Sequence, residues 1–252
     1  MQNKNLWTET KFIKTAQGYK ASNDPKNVSL SSHIIANIQA SIYEKIIRQH
    51  ATGLLLDLGC GNVPLYGIYK DLVQDNICID WGNTLHKNQY LDYEFDLNNV
   101  LSLESEQFDT ILSTDVLEHI AKPELLMSEM ARLLKPDGKI ILTVPFLYWL
   151  HEQPYDFFRY TEFALRMFCK NNNLTLIELE PYGGALEVVL DIIAKQMIQF
   201  SPVLCKIYSK LAIIFFESHL GKQISRKTAK KFPIGYYLVA QKPVDNLIEQ
   251  KV

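Results

Sequence analysis

A short apolar run that ends abruptly in glycines constrains the fold of this chain more than any other feature of its sequence. The run is Leu54-Leu55-Leu56-Asp57-Leu58, and Gly59-Cys60-Gly61 follows it directly. Such a run is typical of a strand buried on both faces of a parallel sheet, and the glycines indicate a tight turn. Because glycine has no Cβ, a ligand can lie directly on the backbone of this turn. The sequence therefore predicts a ligand site where this strand ends.

Apolar runs and helical periods alternate along the rest of the chain. Their alternation indicates βαβ units, and hence a doubly wound, Rossmann-like, seven-stranded, mostly parallel α/β sheet with helices on both faces. A chain of 252 residues has the length of one such domain with an insertion. The predicted strands are 54–58, 77–80, 91–95, 108–113, 139–144, 174–179 and 236–240, and the predicted helices include 31–50, 123–134 and 161–170.

One helical segment, 184–219, does not fit the alternation. It is strongly apolar, Ser201-Pro202 is expected to divide it into two helices, and a basic segment (222–231) follows before the last strand. It could cap the substrate side of the ligand site, form a homodimer interface, or lie on a membrane surface. We therefore expect a single domain over 1–252, with an N-terminal helical lid region (1–50) and a helical insertion with a basic segment (184–232).

Overall charge and composition exclude several classes of protein. The formal charge is −2 and the pI is about 6.3, which argues against a nucleic-acid partner. No apolar segment typical of a signal peptide opens the chain, so we expect a cytoplasmic protein, with peripheral contact at the inner face of the membrane as an alternative. The cysteines and histidines show no metal-ligand spacing, and no metal site is predicted.

The residues around the glycine turn distinguish between two kinds of nucleotide ligand. A dinucleotide fold would place a third glycine at position 64 to seat the pyrophosphate, but that residue is Pro64. Asp57 would repel a pyrophosphate, whereas it suits a cation such as the amino group of an amino-acid moiety. These two residues disfavour an NAD-dependent oxidoreductase.

The segment from Asp57 to Gly61 resembles the first motif of the class I S-adenosylmethionine (SAM)-dependent methyltransferases. Two acids further along the chain resemble later motifs of that family. Asp80 ends the second strand and resembles the acid that accepts hydrogen bonds from the ribose hydroxyls. Asp96 resembles the acid that binds the adenine amino group, while Leu97 resembles the neighbour that packs on the ring.

The segment after the fourth strand, Asp115-Val116-Leu117-Glu118-His119, is similar to the fourth-strand motif of the type 11 branch of that family. Residues 134–139 match the usual turn into the fifth strand. The resemblance implies SAM as cofactor and S-adenosylhomocysteine as product. The residues assigned to the cofactor site are Asp57, Gly59, Cys60, Gly61, Asp80, Trp81, Asp96, Leu97, Asp115, Val116 and His119.

A second group of polar and aromatic residues follows the fifth strand, from His151 to Thr161. It resembles a segment of type 11 methyltransferases that include members associated with surface-polysaccharide biosynthesis. His151 is the candidate general base, because a hydroxyl acceptor must lose its proton and histidine titrates near neutral pH. Asp156, Arg159 and Tyr160 are candidate substrate-binding residues. Alternatively, Asp156 and Arg159 pair to hold the loop, while Thr161 caps the next helix.

The sequence predicts a SAM-dependent methyltransferase that acts on a small-molecule or glycan-precursor acceptor, and specifically on a sugar hydroxyl. Arg159 and the basic segment could hold an anionic part of that acceptor. An amine or carboxylate acceptor would need no strong base. The alternatives are a lipid or quinone-like acceptor, which the apolar insertion would suit, and a SAM-binding protein without catalytic activity.

Overall fold

The computed structural model describes residues 1–82 and 88–244, which form a small hairpin and a seven-stranded sheet. The hairpin consists of β1 (Phe12–Thr15) and β2 (Gly18–Ala21). The large sheet consists of β3 (Leu54–Leu58), β4 (Asp75–Asp80), β5 (Tyr93–Glu94), β6 (Phe108–Thr114), β7 (Leu134–Pro145), β8 (Thr175–Tyr182) and β9 (Gly235–Gln241).

The strand order of the large sheet is β5-β4-β3-β6-β7-β9-β8. Strands β3 to β7 run parallel, and only β9 is antiparallel to its two neighbours. Within this sheet the chain begins at β3, moves outward to the edge strand β5, and then returns to continue on the other side from β6. The topological switch point therefore lies between β3 and β6, where open α/β sheets bind their ligands. This topology confirms the predicted fold class.

Seven α-helices accompany these strands in the described part of the chain. Pro123 occupies the first turn of its helix, as predicted, since proline has no N–H to leave unpaired there. The Thr161 hydroxyl accepts a hydrogen bond from the Ala164 amide at 3.3 Å, which confirms that Thr161 caps a helix. The helices are α1 (His33–His50), α2 (Tyr66–Tyr69), α3 (Pro123–Leu133), α4 (Glu162–Asn171), α5 (Ala185–Phe200), α6 (Pro202–Glu217) and α7 (His219–Thr228).

Three parts of the fold differ most clearly from the prediction. β5 has only two residues, both exposed at the sheet edge, instead of the predicted five. β7 begins at Leu134, so the predicted turn before it belongs to the strand. In the N-terminal region predicted as a helical lid, the hairpin precedes α1. The hairpin buries Phe12 and Tyr19, and the Tyr19 hydroxyl donates a hydrogen bond to the Gly67 carbonyl.

The insertion forms α5, α6 and α7, and Ser201-Pro202 separates the first two helices as predicted. α5 and α6 pack on each other and on α1. A buried ion pair between Asp191 and Lys195 lies on α5, and the Lys195 ammonium is 4.5 Å from the centre of the Tyr148 ring. α5 therefore packs against the loop that follows β7. Within the described residues, no helix combines the length and apolarity needed to span a membrane.

Candidate active site

The glycine turn after β3 lies between the carboxyl ends of β3 and β4. Gly59 and Gly61 have φ angles of 75° and 50°, a region that L-residues with side chains rarely adopt. The Asp80 carboxylate accepts hydrogen bonds at 2.7 Å from the amides of Gly61 and Trp81. The turn is therefore fixed from the end of the neighbouring strand. A Cβ added to Gly61 would meet no atom of the described residues within 4 Å, so its backbone faces open space.

Asp57 is a buried carboxylic acid directly before this turn. Its side chain accepts a hydrogen bond from the Tyr69 hydroxyl at 2.9 Å. Burial raises the pKa of Asp57 from 3.8 to about 7; the Tyr69 hydrogen bond opposes this shift, and the nearby Asp80 adds to it. A cation bound nearby would stabilise the charged form of Asp57. Asp57 is therefore suited to receive an ammonium group.

The other residues assigned to the cofactor from sequence occupy different environments. Cys60 and Leu97 are buried, and Trp81 packs edge-on against Tyr155 with ring centres 5.1 Å apart. Asp96 accepts hydrogen bonds from the Asn98 amide and from the side chain of Asn98, each at 2.9 Å. This places Asp96 in a turn after β5 that is held by its own neighbours.

Val116 contributes to the shape of the glycine turn. A Cβ on Gly59 would approach Val116 Cγ2 to 2.5 Å, so these two residues pack as closely as a glycine allows. Next to it, Asp115 accepts hydrogen bonds from the side chains of Gln39, Tyr43 and Thr143. The Asp115 carboxylate thus connects the end of β6 to helix α1.

Three side chains form a cluster beyond Asp115: Glu118, His119 and His151. One Glu118 oxygen lies 3.6 Å from His119 Nε2 and 3.9 Å from His151 Nε2. The two imidazole rings pack edge-on with centres 4.8 Å apart. Burial and the neighbouring His119 lower the pKa of His151 below 6.5, so His151 is neutral at pH 7 and can accept a proton.

Sequence reasoning assigned no role to Glu118, although this residue is fully buried at the centre of the cluster. Burial raises the pKa of its carboxyl group well above 4.5, with a further contribution from Asp115. Its carbonyl accepts hydrogen bonds from the amides of Phe157 and Phe158, which fold the loop after β7 over it. One sequence feature could have indicated this cluster: the Glu118-His119 pair follows one strand, and His151 follows the next strand.

Asp156 and Arg159 form the ion pair that was the alternative interpretation of this segment. The guanidinium contacts both Asp156 oxygens, and it also donates to the carbonyls of Trp149 and Phe158 at 3.0 and 2.7 Å. Arg159 holds the pKa of Asp156 at about 2. These contacts orient the Arg159 side chain toward the loop itself. Tyr160 is buried, and its hydroxyl donates to the Leu117 carbonyl.

A single cavity of about 370 Å³ connects the glycine turn with the histidine cluster. Seven of the fifteen predicted site residues, drawn from both regions, therefore share one space. The predicted residues that line the cavity are Asp57, Gly59, Cys60, Gly61, Asp115, His119 and His151; Asp80, Trp81, Asp96, Leu97, Val116, Asp156, Arg159 and Tyr160 do not line it.

Comparison with known families gives one match over the strands that carry the site. Residues 56–142 match the type 11 family described as a methyltransferase domain. A curated relative, the ubiquinone biosynthesis O-methyltransferase of Bartonella tribocorum, is 28% identical over 49% of this chain and 61% of its own length. The matches thus span less than two thirds of the length of these curated relatives.

Solved structures with the same fold include methyltransferases. The phosphoethanolamine N-methyltransferase 2 of Haemonchus contortus in complex with SAM has a TM-score of 0.55 at 17% identity, covering 88% of this chain and 58% of its own. A SAM-dependent methyltransferase of Archaeoglobus fulgidus has a TM-score of 0.52 at 14% identity, covering 80% and 94%. The family match thus assigns residues 56–142 to a methyltransferase domain, and the strand order together with these likenesses shows that the chain has the fold of the class I SAM-dependent methyltransferases.

Proposed function

We propose that this protein is a SAM-dependent O-methyltransferase whose acceptor is a small hydroxylated molecule. The observation that carries the proposal is the common cavity, which the glycine turn lines at one end and the histidine cluster at the other. A methyltransferase needs a cofactor site and a proton-accepting group side by side, because methyl transfer to a hydroxyl forms a C–O bond as the O–H bond is lost.

The residues at the glycine turn fit SAM. Because Gly61 has no Cβ, the open space beside it leaves room for a ligand directly against the backbone. Asp57 offers a buried carboxylate to the ammonium group of the methionine moiety, and Asp80 lies at the end of β4, where the ribose is expected. When bound, SAM supplies an electrophilic methyl group. The turn holds and orients it.

The histidine cluster would bind the acceptor hydroxyl and take its proton. His151 is neutral near pH 7, so its unprotonated ring nitrogen can accept a proton. Its ring is fixed from behind, since Asp156 Oδ2 lies 3.2 Å from His151 Nδ1 and also accepts from the His151 amide at 2.9 Å. Arg159 in turn holds Asp156. In this proposal, Asp156 and Arg159 are positioning residues for His151.

Two classes of acceptor are compatible with this chemistry. A sugar hydroxyl follows from the resemblance of the segment 151–161, but the curated relatives reported above are named for ubiquinone biosynthesis. Large apolar side chains of α5 and α6 are exposed, including Phe200 and Ile214, and an apolar molecule could approach the protein along them. We therefore favour a quinone-like hydroxyl and keep the sugar hydroxyl as the second candidate.

Two measurements test the proposed function. Calorimetric titration should show binding of SAM and S-adenosylhomocysteine and none of NAD. Formation of S-adenosylhomocysteine should then depend on the acceptor, with polyprenylated catechols compared against nucleotide sugars. Turnover with the catechols alone supports the quinone-like acceptor, and turnover with the sugars alone replaces it. Absence of SAM binding would contradict the proposed function.

A further inference from the structure

We propose that Glu118, His119 and His151 bind one divalent transition-metal ion at the acceptor end of the cavity. Their ligand atoms, one from each residue, lie within 4.8 Å of one another. No metal site was predicted from sequence, because the ligands come from the ends of two neighbouring strands. The inference deepens the proposed function, on which its catalytic part rests, but metal binding itself can be measured without turnover.

The first argument is the state of Glu118. Its side chain has no solvent exposure, and neither carboxylate oxygen finds a hydrogen-bond donor among the residues that the structure describes. A buried carboxyl group without a partner is costly, and such groups in native proteins are paired or coordinate metals. The histidine nitrogens beside it, at 3.6 and 3.9 Å, are too distant for direct hydrogen bonds. The cluster therefore lacks a group that would satisfy Glu118.

The second argument is the orientation of the two imidazoles. His119 Nδ1 is 2.7 Å from the Tyr155 carbonyl oxygen, which can only accept a hydrogen bond, so this nitrogen carries the proton. His151 Nδ1 likewise faces two acceptors, the Trp149 carbonyl and the ionised Asp156. Each ring therefore directs the lone pair of Nε2 into the cluster. Hydrogen bonds from the far ring nitrogen to a carbonyl or a carboxylate are the usual support for metal-binding histidines.

The third argument is the spacing of the ligand atoms. Three potential ligand atoms, one Glu118 oxygen and the two Nε2 atoms, face one another without a hydrogen bond to the carboxyl oxygen. A tetrahedral ion with bonds of about 2.1 Å separates its ligands by about 3.4 Å. The Glu118 distances of 3.6 and 3.9 Å need a contraction of only a few tenths of an ångström to reach this value, and the largest separation in the cluster, up to 4.8 Å, needs the ligands to approach by up to about 1.4 Å. A bound cation would thus favour the charged form of Glu118 and satisfy the buried carboxylate.

The ligand set indicates the class of ion. Two imidazoles and one carboxylate suit Zn²⁺, Fe²⁺ and Mn²⁺, whereas Mg²⁺ prefers oxygen ligands. Asp115 is not an additional ligand, because its carboxylate already accepts from Gln39, Tyr43 and Thr143. Three protein ligands leave a coordination position for an exogenous oxygen, as catalytic sites do. In such a site a metal-bound acceptor hydroxyl would have a lowered pKa and would release its proton to solvent, and His151 would serve as a ligand in place of its proposed role as base.

The test is metal binding by the full-length protein after treatment with EDTA. Calorimetry with Zn²⁺ should show one equivalent bound, and Co²⁺ should give the visible absorption of a low-coordinate site with nitrogen ligands. Mg²⁺ at the same concentration should bind much more weakly. Glu118→Gln, an isosteric change, should weaken Zn²⁺ binding by at least about a hundredfold, and Asp156→Asn by about 10–100-fold, the scale of losing the support of a histidine ligand.

His50→Ala is the matched control, since His50 also pairs with a carboxylate, Glu178 at 2.9 Å, outside the cavity. This variant should bind Zn²⁺ as the unaltered protein does. SAM affinity should be equal in all variants, which shows that the fold and the cofactor site are intact. Two outcomes would overturn the metal site and leave the proposed function standing. The first is stoichiometric Zn²⁺ binding that Glu118→Gln leaves unchanged. The second is a protein that still binds SAM but binds neither Zn²⁺ nor Co²⁺.

Discussion

Asp57 shows how a single residue links burial to ligand binding. Its carboxyl group lies on the buried strand β3 with one hydroxyl partner, Tyr69, and its pKa is about 7. Without a cation nearby, the neutral form is favoured, whereas a bound ammonium group would favour the charged form. The same environment that disfavours the charge in the free protein therefore makes it a strong partner for SAM.

The affinity for SAM should accordingly depend on pH through Asp57. Below pH 7 the carboxyl group must lose its proton before it can pair with the ammonium group, so each further pH unit weakens binding by up to about tenfold. Titration calorimetry at pH 6, 7 and 8 measures this slope. Asp57→Asn should bind SAM more weakly at pH 8 and lose most of the slope. An identical slope in this variant would show that another group titrates.

The stability of the protein without ligand should change in the opposite sense. A carboxyl group whose pKa is higher in the folded than in the unfolded chain favours folding at low pH, and this contribution is lost as the pH rises from about 4 through about 7. Asp57→Asn removes the penalty of the buried charge. The variant should therefore melt at a higher temperature than the unaltered protein at pH 8. A lower melting temperature at that pH would contradict the assigned role of burial.

Gly59 and Gly61 form a matched pair for the backbone of the turn. Gly59→Ala should destabilise the fold by about 2–4 kcal/mol, since it combines a positive φ with a Cβ that collides with Val116. Gly61→Ala meets no neighbour among the described residues and should cost only the backbone strain, about 1–2 kcal/mol. Its Cβ fills the space reserved for the ligand, so SAM binding should nevertheless be lost. Chemical denaturation and calorimetry separate the two effects.

The loop after β7 acts as one element because Arg159 connects its two ends. The guanidinium contacts Asp156 and the carbonyls of Trp149 and Phe158, so it is fully used within the loop. Arg159→Lys keeps the charge but loses the planar set of donors. We expect a loss of about 1–3 kcal/mol in stability. Turnover should fall with little change in the KM of the acceptor.

Separate measurements of kcat and of the KM for the acceptor distinguish two possible roles of Arg159. A residue that binds an anionic acceptor directly would raise the KM for that acceptor when it is changed to lysine. A positioning residue instead displaces His151 and lowers kcat. Steady-state kinetics with the acceptor that the turnover assay identifies provide the measurement, and unchanged SAM affinity is the control for folding.

The elements differ in how well the sequence predicts them, for physical reasons. β3 is buried on both faces, which leaves a nearly continuous apolar run that ends at the glycine turn. β5 pairs on one side only and is exposed, so its pattern carries little information about its length. The hairpin over 12–21 mixes polar and apolar residues without a clear period, and its burial of Phe12 depends on packing against α1.

The residues of the candidate site also differ in how well the sequence predicts their roles. Asp57, Gly59 and Gly61 act through local backbone geometry, and a local motif can predict this. The role of Glu118 depends on the loop that folds over it from a distant part of the chain, through the amides of Phe157 and Phe158. Sequence spacing does not contain that contact. Arg159 was left with two interpretations because its partners became known only with the conformation of the loop.

The whole molecule exposes an apolar stripe on α6 that the domain does not cover. Val203, Ile207, Leu211 and Ile214 follow at spacings of four, four and three residues, and each is at least 52% exposed. Such spacing places them on one face of the helix. Helix α7 follows with Lys222, Arg226 and Lys227 and no acid. An apolar stripe next to basic residues is typical of helices that bind anionic membrane surfaces.

We therefore expect the protein to sediment with vesicles that contain anionic lipids at low salt. The double variant Leu211→Ser/Ile214→Ser should lose this binding. High salt should weaken the binding of the unaltered protein, because screening acts on the contribution of α7. Phe163→Ser is the matched control, since Phe163 is 73% exposed on α4, outside the insertion. If the protein does not bind the vesicles but sediments as a dimer, and the double variant sediments as a monomer, the stripe is a subunit interface. Membrane binding would also bring the active site close to the lipid, in which a quinone-like acceptor dissolves.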